Sequence, residues 1–452
     1  MKSKLNIQTT SLEKFIKLLF NSFPFILMFH SFLLNLWVLT FIISSGTLIF
    51  IKKLKINFST LNKIFIIFFI YIILVAVLNI KTTYINSWND FEQFESINLY
   101  KSILLIKFCL IVLITNILLQ NSIIKLKGLF ICALVAISFV SFDIIFQYTF
   151  GVNITGREMW DGRNTGIFYP EAIAGAYIQK FSIIAIFAIY LLKVNYKKLR
   201  LLIPFIIIFL ATGILLTHER MPFLLFIFSC CLIFIFVRKM RTMIISSLLF
   251  IGLIFTTLIK YDDSLRDKYI LFYLLGKNMI TLQETADKEL RNELVKKKEK
   301  WLSNESSNNH LNVLLAAFDV WKIKPLTAHG IKSYRTLCHK SIGDKKNRKC
   351  STHPHNYYLE ILSELGLIGI ILFTFIFIFL IKNFIEIFVK NKVYKKNNLE
   401  NLIFLSLLIS MIVSLWPIKI TGSIFTTWNG TYYWFLISLF SSVQNNFKKK
   451  FI

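Results

Sequence analysis

A histidine and an asparagine, nine residues, then two glycines three apart mark the last third of the chain: His355-Asn356 and Gly366-Leu-Ile-Gly369. The histidine stands where a long polar segment gives way to an apolar one, so its imidazole falls at a boundary between water and an apolar medium. Imidazole takes up and releases a proton near neutral pH, the chemistry of a general base. If the chain is helical from 355 onward, Gly366 lies about 20° and Gly369 about 40° from His355 around the axis, all on one face. Small residues at that spacing let two helices approach closely. That contact would aim His355 inward, with Asn356 and Glu360 near enough to fix its tautomer. The plain alternative is a histidine packed at a helix start beside a structural asparagine.

A second group is Thr217-His218-Glu219-Arg220, between two apolar stretches. An arginine at the edge of an apolar run is costly unless it faces water, a partner or an anion. Its planar fork suits a phosphate better than a lysine does. The alternative is an interfacial arginine that pairs with Glu219. A third group, in the glycine-rich stretch Gly151–Pro170, carries Arg157, Asp161 and Arg163 and reads equally as a ligand loop or a plain surface loop. Cys338 and Cys350 are the two of six cysteines outside the apolar runs. An oxidising compartment favours a disulfide between them, just ahead of His355. The rival is a metal site from both cysteines with His353 and His355.

These groups need positioning elements, and composition says what kind. The chain has 452 residues, 56% of them hydrophobic, with 46 phenylalanines; its mean hydropathy is +0.63. Runs of about 18 or more nearly charge-free residues are long enough to cross a ~30 Å hydrocarbon core as helices. Lipid leaves a spanning backbone only helix or closed barrel, and continuous apolar runs select helix. The predicted fold is an all-α polytopic membrane protein with about twelve spans. They fall near 15–32, 34–51, 62–80, 102–120, 128–149, 171–192, 200–216, 221–237, 242–259, 358–381, 401–418 and 430–445. Residues 1–259 would hold nine spans, 260–357 one long outer loop containing helices, and 358–452 three more spans.

With this count every basic short loop falls on one side, together with Lys2, Lys4 and Lys448–Lys450, which sets both termini in the cytoplasm. The first span has no small-residue cleavage site and reads as a retained anchor. The formal net charge of +28 is then a topology signal with affinity for anionic membrane lipids. Nucleic acid is not implied, because no basic face with interleaved aromatics stands out. In the outer loop, Glu284–Lys300 reads as a solvated helix. His310–Trp321, with apolar residues at Leu311, Leu314, Leu315, Phe318 and Trp321, reads as an amphipathic helix that packs on the bundle or lies in the interface. Few ionisable residues lie inside the spans; Asp143, Lys180 and Lys107 are the exceptions noted.

At His355-Asn356 and Gly366…Gly369 the chain resembles the bacterial O-antigen ligase family, related to the O-antigen polymerases. That family's pattern is His, then Asn, Ser or Gln, nine residues, and Gly-x-x-Gly. Its Arg-x3-Leu pattern matches Arg220 and Leu224. The stretch from Trp321 to Pro325 with Gly330, and Leu415-Trp-Pro417 with Thr421-Gly-Ser423, are similar as well. The resemblance implies a GT-C-like membrane glycosyltransferase of the bacterial inner membrane, without cofactor or metal. It would move a glycan from undecaprenyl diphosphate to a lipid A-core or other glycan acceptor on the periplasmic face. The alternative is a polymerase joining carrier-linked repeats; a multi-span transporter is a more distant one. His355 and Arg220 would be catalytic, with Arg335, His310, Arg163 and Asn356 binding substrate. Gly366, Gly369, Cys338 and Cys350 would be structural. The family usually has another arginine in the outer loop; here His310 holds that place, and Arg291 and Arg335 are the nearest arginines.

Overall fold

The computed structural model describes residues 2–29, 31–80, 91–192, 195–269, 309–342, 348–390 and 399–445. Among the described residues the chain is helical without a strand; two isolated bridges, Val152–Glu158 and Trp160–Arg163, occur in one loop. The predicted helix at Glu284–Lys300 lies outside the described residues. Helices α1 (Lys2–Ile26) and α2 (Ser31–Lys52) form a hairpin, followed by α3 (Thr60–Leu78), α4 (Phe91–Leu104) and α5 (Ile106–Gln120). Then come α6 (Leu126–Phe150), α7 (Ala174–Leu191), α8 (Tyr196–Leu216), α9 (Arg220–Phe236) and α10 (Arg241–Tyr261). The segment predicted as the outer loop contributes α11 (Asn309–Ile323) and α12 (Tyr334–Ile342). The last three are α13 (Tyr357–Lys390), α14 (Leu399–Ser414) and α15 (Thr427–Asn445).

Eight described helical segments are long and apolar enough to cross a membrane: α2, α3, α6, α7, α8, α13, the α4–α5 segment Asn98–Gln120 and α10 extended from Arg238. Helices α9 and α14 are apolar but shorter. Local signals start and stop several of them. Ser59 caps α3 by accepting the Asn62 N–H, and Asn195 caps α8 by accepting that of Lys198. Gly151 ends α6 in the left-handed conformation (φ 80°), where glycine carries no steric penalty.

Phenylalanine and tryptophan fill the centre, around α15. Trp434 packs against Phe65, Phe68 and Phe69 of α3 and Phe373 of α13, while Phe435 meets Phe20 and Phe23 of α1. A polar knot joins three of these helices: Asn116 donates to Asn62 and Ser441, and Ser442 donates back to Asn116. Inside a bundle such groups are satisfied by one another, because lipid offers them no partner. At one end of the bundle Lys52 pairs with Glu13, and Asn121 donates to the Lys55 carbonyl.

In the predicted outer loop, α11 turns its small apolar residues to the protein and leaves Leu314, Leu315 and Trp321 half-buried. Val313, Ala316, Ala317 and Val320 are its buried face, while Leu311 and Phe318 are exposed. The small side chains let α11 sit close to α12, where Tyr334 and Cys338 complete a separate core. Packing distance, not residue size, selected the buried stripe.

Candidate active site

The other end of the bundle holds a cavity of about 2410 Å³. That exceeds the roughly 300–1,000 Å³ of a small-molecule pocket more than twofold, which suits a large or double substrate. Its wall includes Arg163, Arg220, Arg335 and His355, residues far apart in sequence. Lys107, Lys180, Lys268, Lys332 and Lys419 line it as well, against Asp161, Glu171 and Glu219. An excess of cations facing a shared space is the environment a phosphate anion seeks.

His355 is held by three contacts. Its backbone carbonyl accepts the Thr421 N–H at 2.8 Å. Its Nε2 lies 3.2 Å from Ser351 Oγ. The His353 ring sits against it, centroids 4.2 Å apart. Burial, with His355 and Lys332 beside it, pulls His353 down to about 4, so that neighbour is neutral near pH 7. The residue itself has φ +57°, the left-handed region that side-chain-bearing residues rarely adopt. Such strain, of order 1–3 kcal/mol, persists where surrounding contacts over-determine it.

That conformation corrects the predicted helix geometry. Helix α13 begins after His355, so His355 and the glycines do not share a helical face. Asn356, predicted to bind substrate, makes its hydrogen bonds within the fold. Its Oδ1 accepts the N–H groups of Tyr358 and Leu359, and its Nδ2 donates to the Pro417 carbonyl. It caps α13 and pins the cap to the 415–423 segment.

The glycines act differently from the prediction too. Helix α13 is interrupted at Gly366, whose φ 68°, ψ −168° only glycine adopts without strain. The break frees two N–H groups for the outer loop: Leu367 donates to the Pro325 carbonyl at 2.9 Å and Ile368 to that of Leu326 at 3.1 Å. Gly330 returns a bond, donating to the Glu364 carbonyl at 2.8 Å. A Cβ on Gly366 would strike the Leu326 carbonyl, and one on Gly369 would strike Leu365 across the break. The pair therefore docks a loop into the helix, where a contact between two helices was expected.

Arg220 opens α9 and donates to the Lys268 carbonyl at 3.2 Å. Before it, His218 Nδ1 donates to the Gly162 carbonyl at 3.1 Å, and its Nε2 is 3.6 Å from Asp262. Lys268 donates to the same Gly162 carbonyl at 2.6 Å. Glu219 accepts the Gly175 N–H at 2.9 Å. Burial pushes its carboxyl up to about 7, opposed by that bond and by nearby Arg163.

Arg163 is carried by the glycine-rich loop, which is built rather than loose. Asp143 accepts the Ile154 N–H, Gln147 accepts that of Gly166, and Asn164 donates to the Leu216 carbonyl. Asp143, an apparent anomaly inside a span, thus satisfies the backbone of the loop above it.

Arg335, on the exposed side of α12, also lines the cavity. His310 lies in the first turn of α11, and its side chain and Arg291 are outside the described residues. Cys338 and Cys350 are joined by a disulfide, which removes both thiols from the alternative metal set. Among the described residues no group of three or more His, Cys, Asp or Glu is placed to hold a metal ion. Sequence reasoning missed Ser351, Lys268, Lys332 and Lys419. Lysines inside spans were a signal for Lys107 and Lys180; for the others no local pattern announces a role.

Comparison with known families bears out the resemblance drawn from these motifs. A family model described as O-antigen ligase matches residues 205–374, which include Arg220, the outer loop, His355 and both glycines. The matched segment, part of the wall of this cavity, is thus similar to a family of enzymes that join glycans. No curated protein matches the chain.

Proposed function

We propose that this protein transfers a glycan from undecaprenyl diphosphate to a lipid A-core acceptor on the periplasmic face of a bacterial inner membrane. In this reading the twelve predicted segments span the bilayer in a GT-C-like arrangement, both termini are cytoplasmic, and the cavity opens outward. The observation that supports it best is the shared cavity, whose wall brings His355 together with Arg163, Arg220 and Arg335.

The acceptor hydroxyl oxygen attacks the anomeric carbon of the donor. The bond from that carbon to the diphosphate oxygen breaks, the hydroxyl proton passes to His355, and the diphosphate leaves as an anion. A diphosphate is already a good leaving group, so charge stabilisation matters more than its protonation. Arg220, with Arg335 and Arg163, supplies that charge through bidentate contacts. His355 supplies the base.

Deleting the gene and analysing the glycolipids tests the reading. Accumulation of long carrier-linked chains with unmodified core is the expected result. Single repeats attached to core would instead assign a polymerase, and an unchanged glycan profile would refute both.

A further inference from the structure

Three lysines of the cavity wall belong to different elements yet meet on the first turns of α15. Lys107 of α5 donates to Asn35 at 2.6 Å and to Thr427 at 3.4 Å. Lys180 of α7 donates to Asn429 at 2.7 Å and lies 4.1 Å from the Trp428 ring centre and 4.8 Å from that of Tyr433. Lys419 stands 5.7 Å from Tyr433 and 5.5 Å from Tyr357, two residues after His355, and donates to the Ser414 carbonyl.

Among the described residues, none of the three has a carboxylate within ion-pairing distance. Glu219 is near enough for its charge to be felt at Lys180. Aromatic faces and amide oxygens orient an ammonium but leave its charge uncancelled. Lys180 is buried and Lys107 and Lys419 are half-buried; amines clustered on one cavity and lacking a carboxylate are poised to share a proton charge with an anion.

The cavity also changes character along this row. Near Lys107 its wall becomes apolar, through Val38, Leu39 and Ile42 of α2 and Leu110 of α5. Leu39 and Leu110 are exposed on the outside of the bundle. An amphiphile with an anionic head fits this order of surfaces.

We propose that Lys107, Lys180 and Lys419 form a diphosphate track: a polyprenyl diphosphate enters sideways between α2 and α5, its chain on Leu39, Ile42 and Leu110, and its head passes from Lys107 to Lys180 and Lys419 beside His355. The inference rests on the donor named above and specifies where that donor binds. Arg220 then meets the same head from the opposite side when the glycosyl bond breaks.

Binding to the full-length protein in lipid nanodiscs tests it, with undecaprenyl diphosphate, inorganic pyrophosphate and undecaprenol as separate probes. Lys180→Gln and Lys419→Gln should each weaken undecaprenyl diphosphate and pyrophosphate binding by roughly tenfold or more, the worth of one buried charged hydrogen bond. Undecaprenol binding should change little. Leu39→Trp should weaken undecaprenyl diphosphate while sparing pyrophosphate. Lys107→Gln, at the open end where little packing is lost, repeats the test should Lys180→Gln be recovered unfolded. Lysine variants that bind pyrophosphate like the wild type, beside an Arg220→Ala variant that does not, would overturn the track and leave the donor standing. A wild-type protein that binds no undecaprenyl diphosphate overturns the donor itself, and the track with it.

Discussion

Ser351 Oγ lies 3.2 Å from Nε2 of His355, and Ser351 directly follows a cysteine that is bonded to α12. The imidazole is thus oriented by a hydroxyl whose own position is fixed covalently. Partners that orient a working histidine set its tautomer and rotation. Ser351→Ala should lower glycan transfer about tenfold, the effect of one neutral hydrogen bond, while donor binding is kept. Transfer equal to wild type would remove Ser351 from the machinery.

His355→Ala should lower transfer by roughly 10²–10⁴-fold, the range for loss of a general base. Arg220→Ala should cost about 10²–10³-fold, and Arg220→Lys should restore little because a lysine lacks the bidentate fork. Both variants should insert normally, read from membrane fractionation. Near-normal surface glycan in either would defeat its assignment.

The disulfide closes a segment with a sequence separation of 12. Restricting a loop of that size in the unfolded chain contributes about 3 kcal/mol. Cys350→Ser should lower the unfolding temperature of purified protein and also slow transfer, because Ser351 loses its anchor. A wild-type sample treated with reductant should follow the variant.

Gly366→Ala places a side chain at φ 68° against the Leu326 carbonyl. A loss of at least about 1–3 kcal/mol is expected from strain alone. Gly46 lies within α2 with nothing near its missing Cβ, and Gly46→Ala should be neutral or stabilise by up to about 1 kcal/mol. Thermal unfolding of the two variants side by side separates the conformational role from a general intolerance of alanine.

Burial pulls the Lys419 ammonium down from 10.5 to about 7. Between those values the unfolded chain binds more protons than the native one, so this group's contribution to stability rises with pH. It is present in full above about 10.5 and lost as pH falls through about 7. Lys419→Met removes the titration, so the stability of wild type relative to variant should increase from neutral to alkaline pH. Parallel stability curves would show that the burial of Lys419 has no energetic weight.

The eight helical segments long and apolar enough to cross a membrane were legible because each is a run of apolar residues, a property that survives ignorance of the neighbours. Arg220 and His355 were legible for the opposite reason, being polar groups at the ends of such runs. The left-handed backbone at His355 and the break at Gly366 were not, because both are imposed by contacts with residues 325–330 and 421. The capping role of Asn356 was not legible, because capping and ligand binding use the same amide atoms. The lysine row was hidden by distance: its members come from α5, α7 and the segment before α15, and only the packed bundle brings them together.

The break at Gly366 has a mechanical side. Through the bonds from Leu367 and Ile368 to Pro325 and Leu326, the lower half of α13 grips the segment that leads to Lys332 and Arg335. Tilting that half, as a thicker or thinner bilayer does to a spanning helix, therefore moves a cavity lysine and arginine with it. The surrounding lipid acquires a lever on the spacing between the two walls of the site.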